Sequence, residues 1–404
     1  MTGAAAPPLA GLTILDLSRV LSGPYCSMLA ADMGARVIKI EHPTRGDDTR
    51  AWGPPFQQGE SAYYLSVNRN KESVALDFQA PEGRALLDAL VAKSDVVIEN
   101  FRPGALDRLG LDYATLAARQ PAVILVSVSG FGQTGPRRRE GGYDAVAQAE
   151  GGLMSVTGHP DGPAVRLGVA IADIAAGMFA FQGLLLALIA RGTTGRGQHV
   201  DVSLLDSVAA LLTYQASSFL ATGESPARAG NRHLTIAPYD TFECADGVLV
   251  LAVGNDQLWR RSAAALGAPD LAADERFLTN AGRVVHYAEL RKRLAALIRT
   301  RPVAGLIETL RAAGVPCGEV RSVGQALSDP QIIAREMIAT IDHPALGPFR
   351  TLGIPVKLSA TPGAVRLPPP RLGEHTRAVL RNDLGMDEAR LADLEARGVV
   401  RGLR

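Results

Sequence analysis

A strand–helix–strand alternation at the start of the chain restricts its possible folds more than any other feature. Thr13–Leu17 (T-I-L-D-L) reads as a short apolar strand, and Ser22-Gly23-Pro24 opens a helix through about Met33, with Ser as the cap and Pro in the first turn. Gly34 stops that helix, and Arg36–Ile40 (R-V-I-K-I) is the next strand. Strand, helix and strand at this spacing make a parallel βαβ unit. The pattern recurs with a helix over Pro81–Ala92, a strand at Val96–Glu99, a helix over Asp112–Arg119 and a strand at Val123–Val128. Residues 1–215 are therefore expected to form a doubly wound, Rossmann-like α/β domain.

The texture changes after about Ser225. Tyr239–Cys244 and Val248–Val253 flank Asp246-Gly247, which favours a tight hairpin turn between two β-rich runs. Helical stretches follow at Asp256–Leu266, Val284–Arg299 and Val303–Ala313, so 226–325 reads as a smaller α+β domain. Residues 326–404, with proline-rich Leu367–Arg371 and polar helices after Thr376, read as a return segment and tail that complete the large domain.

At 404 residues and 47% hydrophobic, the chain can bury cores for two domains. Lys+Arg 42 against Asp+Glu 41 leaves no bulk charge to attract nucleic acid or an anionic membrane. Cys26, Cys244 and Cys317 are scattered, which points to reduced thiols in a cytoplasmic protein rather than to a disulfide framework or a zinc knuckle. Met1–Ala10 has neither the basic region nor the apolar stretch of a signal peptide. The longest apolar run, around Met178–Ile189, contains Gln182 and reads as a buried helix too short to cross a bilayer. The seven histidines show no metal-ligand spacing, and no G-x-S-x-G elbow is present, so neither a metal nor a serine nucleophile is expected.

Asp173 is the residue of most chemical interest. It lies in Val169-Ala170-Ile171-Ala172-Asp173-Ile174-Ala175-Ala176-Gly177, between a small-residue segment and the apolar helix. A carboxylate is a nucleophile that needs no activating base at neutral pH, because an ordinary Asp is ionised above about 4. The same residue could equally cap the helix by accepting free backbone N–H groups.

Gly130-Phe131-Gly132-Gln133-Thr134-Gly135 matches G-x-G-x-x-G after a strand, but Pro136 and Arg137-Arg138-Arg139-Glu140 follow where a dinucleotide site needs a helix. A flexible loop near a substrate fits better than a nucleotide redox site. Arg137–Arg139, Arg36 and Lys39 are either solvated charges or contacts to the phosphates of an anionic ligand, aided by a helix N-terminus such as that at Ser22. Asn100-Phe101-Arg102-Pro103-Gly104 follows a strand, at the carboxyl edge where open α/β sheets bind ligands, and is otherwise an ordinary Pro-Gly turn.

Taken in order along the chain, Gly11–Asp16, Leu21–Pro24, Gly34–Glu41, Asn68–Lys71, Val97–Gly104, Ser129–Pro136, Ala172–Gly177, Thr194–Gln198 and Gly373–Thr376 resemble the family III (CaiB/BaiF-type) CoA-transferases. Gly46–Phe56, Tyr63–Lys71 and Gly142–Val146 are similar to the succinyl-CoA:glutarate branch of that family. The resemblance implies coenzyme A as co-substrate and Asp173, in D-x-x-x-G, as the nucleophile. It places CoA against Leu21, Ser22, Leu76, Asn100, Phe101, Arg102 and Arg108, and the acyl group near Trp52, Tyr143 and Asp144. A dicarboxylate acceptor would need a cation, for which Arg50 and Arg166 are the candidates, each equally readable as a structural ion pair. The family's interlocked homodimer is also implied, and segments near Ser225 and Asn280 read as linkers long enough for it.

Two departures narrow the expectation. The formyl-CoA branch has a glycine run where this chain has Gly254-Asn255-Asp256-Gln257. The racemase branch has a His before the Asp that is here Asp144; Tyr143 replaces it, and a phenol is a poor base at neutral pH. A racemase-type epimerase and a non-catalytic CoA-binding subunit are the alternatives to CoA transfer.

Overall fold

The computed structural model describes residues 6–403, so the first part of the opening segment read above for a signal peptide lies outside the described residues. The chain divides into two compact units. One runs up to Leu153 and adds Leu167–Ala216 and the chain from Pro330 on; the other comprises Met154–Arg166 and Ser217–Asp329. The expected uninterrupted span 1–215 thus gives up 154–166 to the second unit.

The first unit is built on a seven-stranded sheet. Its strands are β1 (Thr13–Asp16), β2 (Arg36–Glu41), β3 (Lys71–Leu76), β4 (Val96–Glu99), β5 (Ile124–Ser129) and β6 (His199–Ser203), ordered β3-β2-β1-β4-β5-β6, all parallel. The C-terminal Val400–Arg401 pairs antiparallel with Leu76 and Ala75 and closes the β3 edge. Strand order reverses between β1 and β4, so the loops after those two strands diverge and leave a crevice at the carboxyl edge.

Helices cover both faces, which is why β4 and β5 are buried along their whole length. On one face α1 (Ser22–Asp32) and a long helix, Ile171–Thr194, pack Ala30, Ala172, Ala176 and Leu184 against Ile14, Ile98 and Val126. On the other, α2 (Pro81–Val91) and α3 (Tyr113–Arg119) join Val379 and Leu391 of the return segment against Leu15, Val97 and Leu125. Asn70 fastens that return, its side-chain oxygen accepting from Arg366 N at 2.6 Å and Leu367 N at 2.8 Å.

Next come α4 (Asp144–Glu150) and the long helix itself, α5 (Ile171–Thr194). At 24 residues α5 is twice the span read from the sequence, and its length and composition would suffice to cross a membrane, contrary to the expectation. Its small residues face the core, while Met178, Leu186 and Ile189 on the other side are exposed.

In the second unit, Tyr239–Glu243, Val248–Ala252 and Cys317–Glu319 form an antiparallel sheet, with the first two joined by the expected hairpin. Asp256–Ala265, Tyr287–Ile298 and Val303–Ala312 pack Trp259, Leu290 and Leu306 against it. Gly254-Asn255 leads into the first of these helices, where Asn255 caps Leu258 N at 2.9 Å. Asn280 opens a short helix, Asn280–Val285, and is not a linker.

Candidate active site

Asp173 stands in the first turn of α5, not at its cap. The cap position is Ala170, which makes no side-chain capping bond. The capping function falls to Asp144, whose Oδ1 accepts from Ala172 N at 2.8 Å while Oδ2 accepts from Gln148 Nε2 at 2.7 Å. With the helix start secured by another residue, the Asp173 carboxylate is left to face Ser22, whose hydroxyl hydrogen-bonds to it.

Gly177 explains the D-x-x-x-G spacing. Residues four apart lie on one helix face, so Gly177 sits one turn below Asp173 against the start of α1. A Cβ there would come 2.7 Å from the Ser22 carbonyl oxygen and 3.1 Å from the Tyr25 ring. The absent side chain lets α5 approach α1 closely enough for Ser22 to meet Asp173.

Burial raises the Asp173 carboxyl to about 7, the nearby Asp144 charge adds to the rise, and the Ser22 bond opposes it. Burial thus works against the ordinary ionisation expected from sequence, and Ser22 works for it.

Asp173 opens into a cavity of about 150 Å³ at the switch-point crevice, whose walls include Ser22, Asn100, Phe101, Arg102 and Tyr143. Asn100 is spent on structure: its side chain accepts from Arg19 N at 2.9 Å and donates to Arg19 O at 2.6 Å, lacing the loops after β1 and β4 together. The glycine loop contributes through close approach. A Cβ on Gly130 would lie 2.7 Å from Gly142 Cα, and one on Gly141 would lie 2.9 Å from Arg102 Nη2. A second cavity of about 110 Å³ shares Arg19 and Phe101 with the first and adds Leu76, His42 and Arg45.

Other candidates are placed elsewhere. Leu21 is buried in a small apolar cluster with Met28, Val67 and Ile174. Arg108 ends the short helix Ala105–Arg108, is exposed, and lines neither cavity. Trp52 packs edge-on against Tyr63, ring centroids 5.2 Å apart. Tyr63 itself was not singled out from sequence; its phenol is pushed up to about 12 by burial and then by the charges of Asp173 and Asp144.

Of the two arginines offered for a distal carboxylate, Arg50 takes its alternative reading. Arg50 is a structural ion pair, donating to Glu41 at 2.7 and 2.8 Å and to Pro370 O at 3.1 Å, with its guanidinium 3.7 Å from the Tyr64 ring centroid. Arg166 belongs to the second unit. Lys39 is likewise an internal residue, fully buried on Asp47 (2.9 Å) and Ser18 O (2.8 Å). Arg36 pairs with Glu72 and Asp383, and Arg137 with Glu140 and Glu150.

A doubly wound sheet with a half-buried carboxylate at its switch-point crevice, flanked by a glycine-lined cleft and arginines, places the protein among the α/β proteins that bind ligands at the carboxyl edge of the sheet. Residues 9–376 match the profile of CoA-transferase family III, and the chain belongs to that family. It is a CoA-transferase. It is 42% identical over 380 residues to the succinate–glutarate CoA-transferase of Agrobacterium fabrum, a match covering 93% of this chain and 95% of that one. It is 40% identical over 393 residues to the succinyl-CoA:glutarate CoA-transferase of Mus musculus, covering 97% and 90%. A crystal structure of a CAIB/BAIF family protein from Brucella suis is similar at 41% identity and a TM-score of 0.84, over 94% of this chain and 100% of that one.

Proposed function

We propose that the enzyme moves CoA from succinyl-CoA, or a similar donor, to a dicarboxylate such as glutarate through a thioester on Asp173. The observation that supports this most is the arrangement at the head of α5. Asp144 caps the helix and Ser22 meets the carboxylate, which leaves Asp173 open to a crevice lined by Asn100, Phe101 and Arg102. The names of the relatives above support the donor and acceptor class.

In this reading Asp173 attacks the thioester carbonyl and expels CoA thiolate, forming a mixed anhydride. The thiolate attacks the aspartyl carbonyl, releasing the donor acid and leaving Asp173 as a thioester. The acceptor carboxylate then repeats the two steps in reverse. One thioester is exchanged for another, so no external energy source enters. The residues suit such a ligand: glycines 130, 141 and 142 let the cleft loops pack closely, and Arg19, Arg45 and Arg102 are among the residues lining the two cavities. An interlocked homodimer belongs to the same reading, supported by the exposed apolar side of α5.

The test is transfer from succinyl-CoA to a panel of C2–C6 mono- and dicarboxylates, with hydroxylamine trapping and mass spectrometry of the peptide carrying Asp173. Asp173→Ala and Asp173→Asn are expected to abolish transfer and trapping while still binding CoA. Turnover near wild type in either variant would sink the mechanism. A preference for monocarboxylates would refute the acceptor assignment alone.

A further inference from the structure

We infer that Glu99 is a positioning residue for the cleft loop, clamping Phe101–Arg102 from the sheet face opposite Asp173. The inference rests on the reading above that this loop takes CoA.

Side chains alternate along β4. Ile98 joins the core face of α1 and α5, and Val97 joins the opposite face, so Glu99 shares Val97's side. It is 4% exposed at the end of the strand, and its Oε2 accepts from Phe101 N at 2.7 Å. Its register partner on β5 is Ser127, 1% exposed, whose hydroxyl bonds to the Glu99 carboxylate. Ser127 Oγ also lies 2.9 Å from His199 Nε2 on β6. The His199 ring stacks on Tyr113 with centroids 6.0 Å apart, and the Tyr113 hydroxyl donates to Gly197 O at 2.7 Å.

The relay thus runs from the Phe101 amide through Glu99 and Ser127 to His199, across three adjacent strands. It borders a cavity of about 190 Å³ that Arg102 also lines, so Arg102 stands between this cavity and the one containing Asp173. Placing a carboxylate here is costly: it has no cationic partner in the relay, burial raises its carboxyl to about 7, and Asp201 and Asp107 oppose its charge. Its strongest geometric tie is the amide two residues on, at the turn into the cleft. A loop held in the bound geometry before ligand arrives loses less freedom on binding.

The experiment measures the Kd for free CoA by calorimetry, with KM and kcat for succinyl-CoA, in the full-length enzyme. Glu99→Ala removes the acceptor and is expected to raise Kd and KM about tenfold or more, with kcat changed less than about threefold. Glu99→Gln keeps an oxygen for the Phe101 amide and should rescue Kd to within about threefold of wild type. If the alanine variant fails to fold, Glu99→Leu carries the test, because it fills the buried position without offering an acceptor to that amide and should show the same KM rise. Wild-type Kd in Glu99→Ala and Glu99→Leu overturns the clamp, as does an equal loss in Glu99→Ala and Glu99→Gln. Arg102→Ala separates the two layers. If it weakens CoA binding while the Glu99 variants do not, only the clamp fails; if it leaves Kd unchanged, the loop does not take CoA and the clamp falls with that reading.

Discussion

The Asp173 carboxyl answers two opposing demands. Excluding water sharpens the electrostatics of acyl transfer but favours the neutral acid, which is not nucleophilic. The Ser22 hydroxyl is the group that opposes this, since it hydrogen-bonds to the charged form. In the proposed mechanism Asp173 must be ionised to attack, so kcat/KM for the acyl-CoA should fall about tenfold per pH unit below about 7. Ser22→Ala removes the stabilising bond, so the acid limb should move to higher pH and activity at pH 7 should drop about tenfold, in line with ~1.5 kcal/mol for a hydrogen bond to a charged group. A pH–rate profile that keeps its limb in the variant would show that Ser22 does not tune the nucleophile. Asp173 was legible in the chain because it is a lone acid between a small-residue segment and an apolar helix, with a glycine four residues on. Its raised pKa was not, because Asp144 arrives from a separate helix and burial is a property of the packed site.

At the scale of elements, the contact between α5 and the start of α1 is what brings Ser22 to Asp173. Gly177→Ala would place a Cβ 2.7 Å from the Ser22 carbonyl oxygen, a backbone atom that cannot swing aside. The expected result is a loss of ~1–3 kcal/mol of stability from overpacking and a drop in kcat well beyond that of a surface glycine such as Gly192, where a Cβ meets nothing within 4 Å. Thermal melts and kcat measured on both variants check this; equal behaviour would remove Gly177 from the site's construction. The alternating βαβ pattern was readable for β1, β2, β4 and β5 because those strands are short apolar runs. β3 escaped notice because it begins Lys71-Glu72-Ser73, which looks like surface. In the fold Lys71 is fully buried, donating to Pro24 O at 2.8 Å and Asn68 Oδ1 at 2.9 Å beside Asp16, and burial pushes its ammonium down to about 8. The single helix read over Val284–Arg299 is broken at His286, which ends one helix and caps the next.

For the whole molecule, the site is a local cost to stability. A carboxyl raised from its ordinary value near 4 to about 7 on folding makes the native state bind a proton more tightly than the unfolded chain. Stability therefore falls as pH rises through that window, and the full penalty is present above about 7. Asp173→Asn, which cannot ionise, should be no more stable than wild type near pH 4 and more stable at pH 8, by on the order of 2–4 kcal/mol. Denaturant melts at the two pH values decide it: an unchanged difference would mean the Asp173 charge is not desolvated in the folded protein.

Apolar periodicity, turn residues and a glycine four places after an aspartate were enough to indicate a parallel α/β sheet, an antiparallel hairpin region after it, and which acid to watch. These signals are local, set by backbone geometry within a turn or a strand. Which charges are partnered was decided only by packing. Arg50, Lys39 and Arg36 all offered themselves as ligand contacts, and each is taken up by carboxylates that folding brings alongside. Long-range encounters of that kind depend on the three-dimensional path of the chain, and a charged residue carries the same letter whether its partner is solvent, substrate or a buried acid.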